Sequence, residues 1–64
     1  MKRGDIYMVY NRPASEEESE GEAEILEIRH LLGKVDGRQM FFCKVKFLKD
    51  GYITERMILA KTEG

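Results

Sequence analysis

The pair Asp36-Gly37 constrains this chain more than any other feature. It stands between "EAEILEIRHLLGKV" and "RQMFFCKVKFL". Asp-Gly between two apolar-rich runs is a strong hairpin signal, because a type I′ turn needs positive φ at both central residues. A two-residue loop there pairs Val35 with Arg38. Counting back without interruption sets Leu32 opposite Phe41, His30 opposite Cys43, Ile28 opposite Val45 and Leu26 opposite Phe47. One face of the hairpin then carries Leu26, Ile28, Leu32, Phe41, Cys43, Val45 and Phe47, as period-two alternation requires. A helix over 23–34 competes for the same residues. Ser15 with Glu18 has the spacing of a capping box, Ile25, Ile28 and Leu32 have helical spacing, and Gly33 stands where a helix would stop. A hairpin turn needs a strand in front of it, so the strand is preferred.

A second hairpin follows in "KVKFLKDGYITERM" (44–57). A two-residue Asp50-Gly51 loop would set Val45 opposite Arg56 and bring an arginine to the core face. A three-residue loop, Lys49-Asp50-Gly51 with Gly51 left-handed, sets Phe47 opposite Ile53, Cys43 opposite Met57 and Phe41 opposite Leu59. The three-residue loop is therefore expected, with a bulge or strand end turning Glu55 outward. Upstream, "GDIYMVY" (4–10) is β-rich, and Pro13 ends that strand by removing a backbone donor. Residues 14–22 read as a long, polar, acidic loop. The expected architecture is all-β: a meander of strands 4–12, 23–35, 39–48 and 52–60. Four to five short antiparallel strands of this length are expected to close into a small SH3-like barrel, a single domain over 1–64.

Composition narrows the function classes. A chain of 64 residues buries little core and has one cysteine, so no intrachain disulfide forms. The lone thiol fits a reducing compartment, and no apolar stretch approaches the ~20 residues of a membrane span. A soluble, cytoplasmic protein is expected, with no membrane association. Net charge is −1 but unevenly placed: residues 1–28 hold three basic and eight acidic side chains, and residues 29–64 hold eight basic and four acidic.

The same registers define an outer face. Phe42, Lys44, Lys46 and Leu48 lie on its central strand, Ile58, Arg56, Thr54 and Tyr52 on one neighbour, and Leu31, Arg29, Glu27 and Ile25 on the other. Its basic centre of Arg29, Lys44, Lys46 and Arg56, interleaved with Phe42 and Tyr52, suits nucleic acid: cations meet phosphates and rings stack on bases. Its apolar ends suit a protein partner or a second copy. A solvated sheet is the bland alternative, with long cations lying over it. Enzymatic chemistry finds little support. His30 opposite Cys43 is the one nucleophile-like pair, and both fall on the expected core face without a third, orienting group. Residues 16–24 lack the Asp/Asn-Gly spacing of a calcium loop, and no phosphate-binding glycine loop occurs. No catalytic residue, metal site or cofactor is expected.

Two stretches resemble known families. "KRGDIYMVYNRP" (2–13) resembles the opening of the MazF/PemK toxins, SH3-like barrel endoribonucleases, although "GEAEILEI" lacks the arginine-proline that follows there. No catalytic residue is carried over. "EAEILEIRHLLGKVDGRQMFFCKVKFL" (22–48) looks like the first hairpin of chromodomains, with Phe47 where that family has tryptophan. "VKFLKDGYITERM" (45–57) is similar to a Tudor strand running into a glycine turn. All three resemblances imply the SH3-like barrel. The expectation is a non-enzymatic binding module. Its first partner is nucleic acid or a nucleic-acid-bound complex, met by Arg29, Lys44, Lys46, Arg56, Phe42 and Tyr52. The alternatives are a protein-interaction adaptor or inhibitor, using the apolar edge or the acidic loop, and, more remotely, a ribonuclease toxin relative.

Overall fold

Nineteen consecutive residues form one strand, and that strand shapes the molecule. In the computed structural model, which describes residues 1–61, the elements are β1 (Ile6–Arg12), β2 (Glu17–Val35), β3 (Arg38–Phe47) and β4 (Ile53–Leu59). They form a single antiparallel sheet in the order β1-β2-β3-β4. No helix occurs among the described residues, so the strand reading of 23–34 holds. At ~3.3 Å per residue a straight β2 would run roughly 60 Å. The longest dimension of the molecule is 32 Å. β2 therefore bends sharply, pairing its first half with β1 and most of its length with β3.

Four irregularities make the bend. Against β1 the register shifts between Val9 and Tyr10, which leaves Glu20 as the extra residue. Against β3 it shifts at Leu26, Arg29 and Leu32. Each bulge places two residues against one, bends the strand and raises its twist. Gly21 adopts φ +116 beside the first of them, a conformation that side chains resist.

These bulges correct the expected pairing. Val35 does pair with Arg38, and Asp36 and Gly37 take φ +51 and +79, as a type I′ turn requires. Beyond the turn the register slips by one residue at each bulge. His30 lies opposite Phe42 rather than Cys43, Ile28 opposite Cys43, Ile25 opposite Val45 and Ala23 opposite Phe47. Ile25, expected outside, is a core residue at 1% exposure, whereas Leu32, expected inside, is 51% exposed and Leu26 is half-buried. The long acidic loop is also corrected. Only Pro13–Glu16 connect β1 to β2, and Glu17, Ser19 and Gly21 pair with Arg12, Tyr10 and Val9. Ser15 closes that short turn by donating to the Arg12 carbonyl at 3.4 Å instead of capping a helix.

The second hairpin departs from both loop lengths considered. Phe47 N–H donates to the Tyr52 carbonyl, and Gly51 N–H donates to the Phe47 carbonyl, each at 2.8 Å. The loop is thus four residues, Leu48–Gly51. Val45 then faces Thr54, Cys43 faces Arg56 and Phe41 faces Ile58. Ile58, expected outside, is buried, while Ile53 and Met57, expected inside, are exposed.

The core occupies the concave face: Tyr7, Val9, Ala23, Ile25, Cys43, Val45, Phe47 and Ile58, with Met1, Ile28 and Phe41 packed against it. Alternation places these residues inward once the bulges are counted. The edges β1 and β4 approach one another without a hydrogen-bonded ladder, so the sheet is curled but open. The Lys61 N–H donates to the Tyr7 hydroxyl at 3.4 Å across that seam.

Candidate binding face

The convex face is ordered in rows of directly opposed residues. One row is Ile6, Glu24, Lys46 and Ile53; the next is Glu27, Lys44 and Glu55; the third is His30, Phe42 and Met57. Opposed residues on one face have Cβ atoms about 4.5–5.5 Å apart, so each row is a line of interacting side chains. In the third row, His30 and Phe42 stack with centroids 6.4 Å apart. Met57 continues the apolar surface into a shallow groove of about 110 Å³ at the β1–β4 seam, shared with Met8, Tyr10, Pro13 and Leu59.

Charge on this face is balanced. Lys44 lies between Glu27 and Glu55, and Lys46 lies opposite Glu24. Arg29, turned outward by its bulge, reaches across Lys44 to Glu55 at 2.9 Å and to Glu27 at 3.6 Å. Three cations meet the three carboxylates of these rows, and Glu22, opposite Met8, adds a fourth, so the face presents no basic field to a polyanion.

The six residues expected to form one binding surface divide between two faces. Arg29, Phe42, Lys44 and Lys46 share the convex face. Arg56 faces Cys43 and Tyr52 faces Phe47, so both lie on the concave side. Arg56 is held there by Glu20, with Nε to Oε2 at 2.9 Å and Nη2 to Oε1 at 3.2 Å. This two-point bond to a carboxylate raises the Arg56 pKa further, through the hydrogen bond first and the Glu20 charge after it. The β1–β2 bulge supplies that carboxylate by turning Glu20 inward over the sheet. An arginine on the core side is tolerated because it sits on an edge strand with its partner waiting. Its guanidinium carbon also lies 6.0 Å from the Phe47 ring centroid, and Tyr52 stacks on the same ring at 6.5 Å while remaining 58% exposed. Phe47 thus spends its faces on the protein's own groups.

Reactive chemistry is separated. Cys43 is fully buried, and burial pushes its thiol up to about 11. His30 lies on the other face. No cluster of three or more His, Cys, Asp or Glu suited to a metal occurs among the described residues.

Sequence reasoning missed His30, Met57, Ile53, Ile6 and Met8 as members of the outer face. His30, Ile53 and Met57 are expected on the core face, because their register depends on the bulges or on the four-residue loop; Ile6 and Met8 carry no expectation, because a loop over 14–22 leaves their strand unpaired. Compared with protein families, curated proteins and solved structures, the chain matches none.

Proposed function

We propose that this chain is a small, non-enzymatic interaction module that docks protein through the convex sheet face, and that its occupant is a second copy of the chain. The carrying observation is the row Glu27–Lys44–Glu55, balanced by Arg29 across it, beside the apolar row His30–Phe42–Met57. A carboxylate–ammonium–carboxylate line is self-complementary across a two-fold axis, because each Lys44 can meet a carboxylate of the other copy while the apolar rows cover one another. Three such rows, the first four strands wide and the others three, span a face of roughly 15–20 by 20 Å. That is short of the ~800 Å² each partner gives a standard interface, so the association is weak and sensitive to dilution. The buried, hard-to-ionise Cys43, on the opposite face from His30, supports the non-enzymatic reading. The curled sheet and its closely approaching edges support assignment as an SH3-like barrel, the architecture common to the MazF/PemK, chromodomain and Tudor resemblances. The single buried thiol supports a reducing, cytoplasmic setting.

A second reading keeps nucleic acid as the partner, favoured by the shared placement of Arg29, Phe42, Lys44 and Lys46. Sedimentation equilibrium across a wide dilution series separates the two. Self-docking predicts an average mass that rises toward twice the monomer's with concentration, responds little to salt, and stays monomeric in Met57→Glu. A strictly monomeric chain that binds short RNA or DNA with steep salt dependence overturns it in favour of the second reading.

A further inference from the structure

Away from the convex face, the cations are arranged differently. The Asp36-Gly37 turn, the start of β3 and the segment after β4 enclose an open cleft of about 350 Å³, lined by Lys34, Gly37, Arg38, Gln39 and Lys61 among others. No carboxylate lines it among the described residues. The cross-strand partner of Lys34 is neutral Gln39, and that of Arg38 is Val35. This contrasts with the convex face, where each cation has a glutamate opposite.

Arg38 is the fixed point of the cleft. Its Nε donates to the Ala60 carbonyl at 2.8 Å, which ties β3 to the chain after β4. Its Nη1 meets Glu16 Oε1 at 3.2 Å from the rim. Those bonds occupy two of the five guanidinium donors and orient the rest. Lys61 is positioned by its ammonium lying 5.0 Å from the Tyr7 ring centroid. Among the described residues, Lys34, Arg38 and Lys61 line the cleft, while the nearby carboxylates are Glu16, bonded to Arg38, and Asp36 in the turn, which is not among the lining residues, so the lining itself is basic. Its volume lies within the ~300–1,000 Å³ range of small-ligand sites, while its lining is too polar for an apolar ligand.

We propose that this cleft binds the phosphate group of a phosphorylated ligand. Arg38 supplies pre-oriented donors, the Lys34 and Lys61 ammoniums supply charge, and the Gln39 amide lies beside them. The inference is independent of the self-docking reading and stands or falls separately from it.

The test is an amide-shift titration of the full chain with inorganic pyrophosphate and, in a second arm, a short single-stranded oligonucleotide, against chloride at matched ionic strength. The expected result is saturable shifts in the 34–39 turn and at 60–61, absent with chloride. Saturation by pyrophosphate alone points to a small phosphorylated ligand, and tighter saturation by the oligonucleotide points to a phosphodiester chain. Arg38→Gln is expected to weaken binding about tenfold or more, as losing a charged hydrogen-bond partner does. Because Arg38 also ties down Ala60, Lys34→Gln and Lys61→Gln serve as variants that leave that bond in place. No saturable shift with either ligand, shifts matched by chloride, or undiminished binding in both lysine variants would overturn the proposal.

Discussion

Ile25 and Leu32 have nearly the same side-chain volume and stand seven residues apart on one strand, yet the sheet buries one and leaves the other wet. Truncating a fully buried isoleucine removes its transfer energy and leaves a cavity, so Ile25→Ala is expected to cost about 2–5 kcal/mol by urea denaturation. Leu32→Ala is expected to fall within about 0.5 kcal/mol of the parent. Uninterrupted pairing back from Asp36-Gly37 would reverse that order. Cys43 allows a second test at this scale. The folded core accepts only the protonated thiol, so its pKa rises from the ordinary 9.0 to about 11. The unfolded chain releases the proton first. The stability contributed by Cys43 is therefore complete below about pH 9 and is lost as pH rises through about 11, a change on the order of 2–3 kcal/mol. In Cys43→Ala that part of the alkaline loss should vanish when urea midpoints are compared across the range.

At the scale of elements, the Asp36-Gly37 turn is easier to read than the strand before it or the two other connections. Asp36-Gly37 encodes its own geometry, because a type I′ turn is a local backbone requirement. The bulges of β2 encode nothing so local. Leu26, Arg29 and Leu32 are extra residues at every third position, so Ile25, Ile28 and Leu31 lie opposite Val45, Cys43 and Phe41 at intervals of three. That interval is what imitates a helix in the sequence. It records a repeatedly bulged strand. The same bulges leave the end of β2 that extends beyond β1 twisted and irregular, a poor template for edge pairing with another chain. The β3–β4 loop was misread for a related reason. A register with Arg56 on the concave side looks forbidden until Glu20 is known to be there, and Glu20 arrives only through the bulge beside Gly21. Gly21→Ala should cost more than about 1 kcal/mol through φ +116 and not through crowding, since the nearest atom to an added Cβ is the Lys49 Cδ at 4.0 Å. Glu20→Gln should cost about 1 kcal/mol, the upper end for a pair that is still partly exposed. The two losses should be non-additive in a double-mutant cycle, because the glycine holds the carboxylate in place.

At the scale of the whole molecule, a chain this small covers its core by curling one sheet, with a bent β2 as the spine. The four-residue β3–β4 loop sends Arg56 and Tyr52 to the concave side, leaving Arg29, Phe42, Lys44 and Lys46 on the convex one, among carboxylates. The all-β class and the meander order were legible from turn chemistry and alternation. The division of charge between faces was not, because a one-residue slip moves every side chain to the other side of a sheet. The proposed docking surface is the convex face. The most direct measurement is a residue-resolved amide-shift map of the labelled chain between dilute and concentrated solution. Self-docking predicts concentration-dependent shifts confined to the convex rows, at Ile6, Glu27, His30, Phe42, Lys44, Ile53 and Met57, with Tyr52, Arg56 and the 34–39 turn unmoved. Spectra identical at both concentrations, or shifts centred on Tyr52 and Arg56, would contradict it.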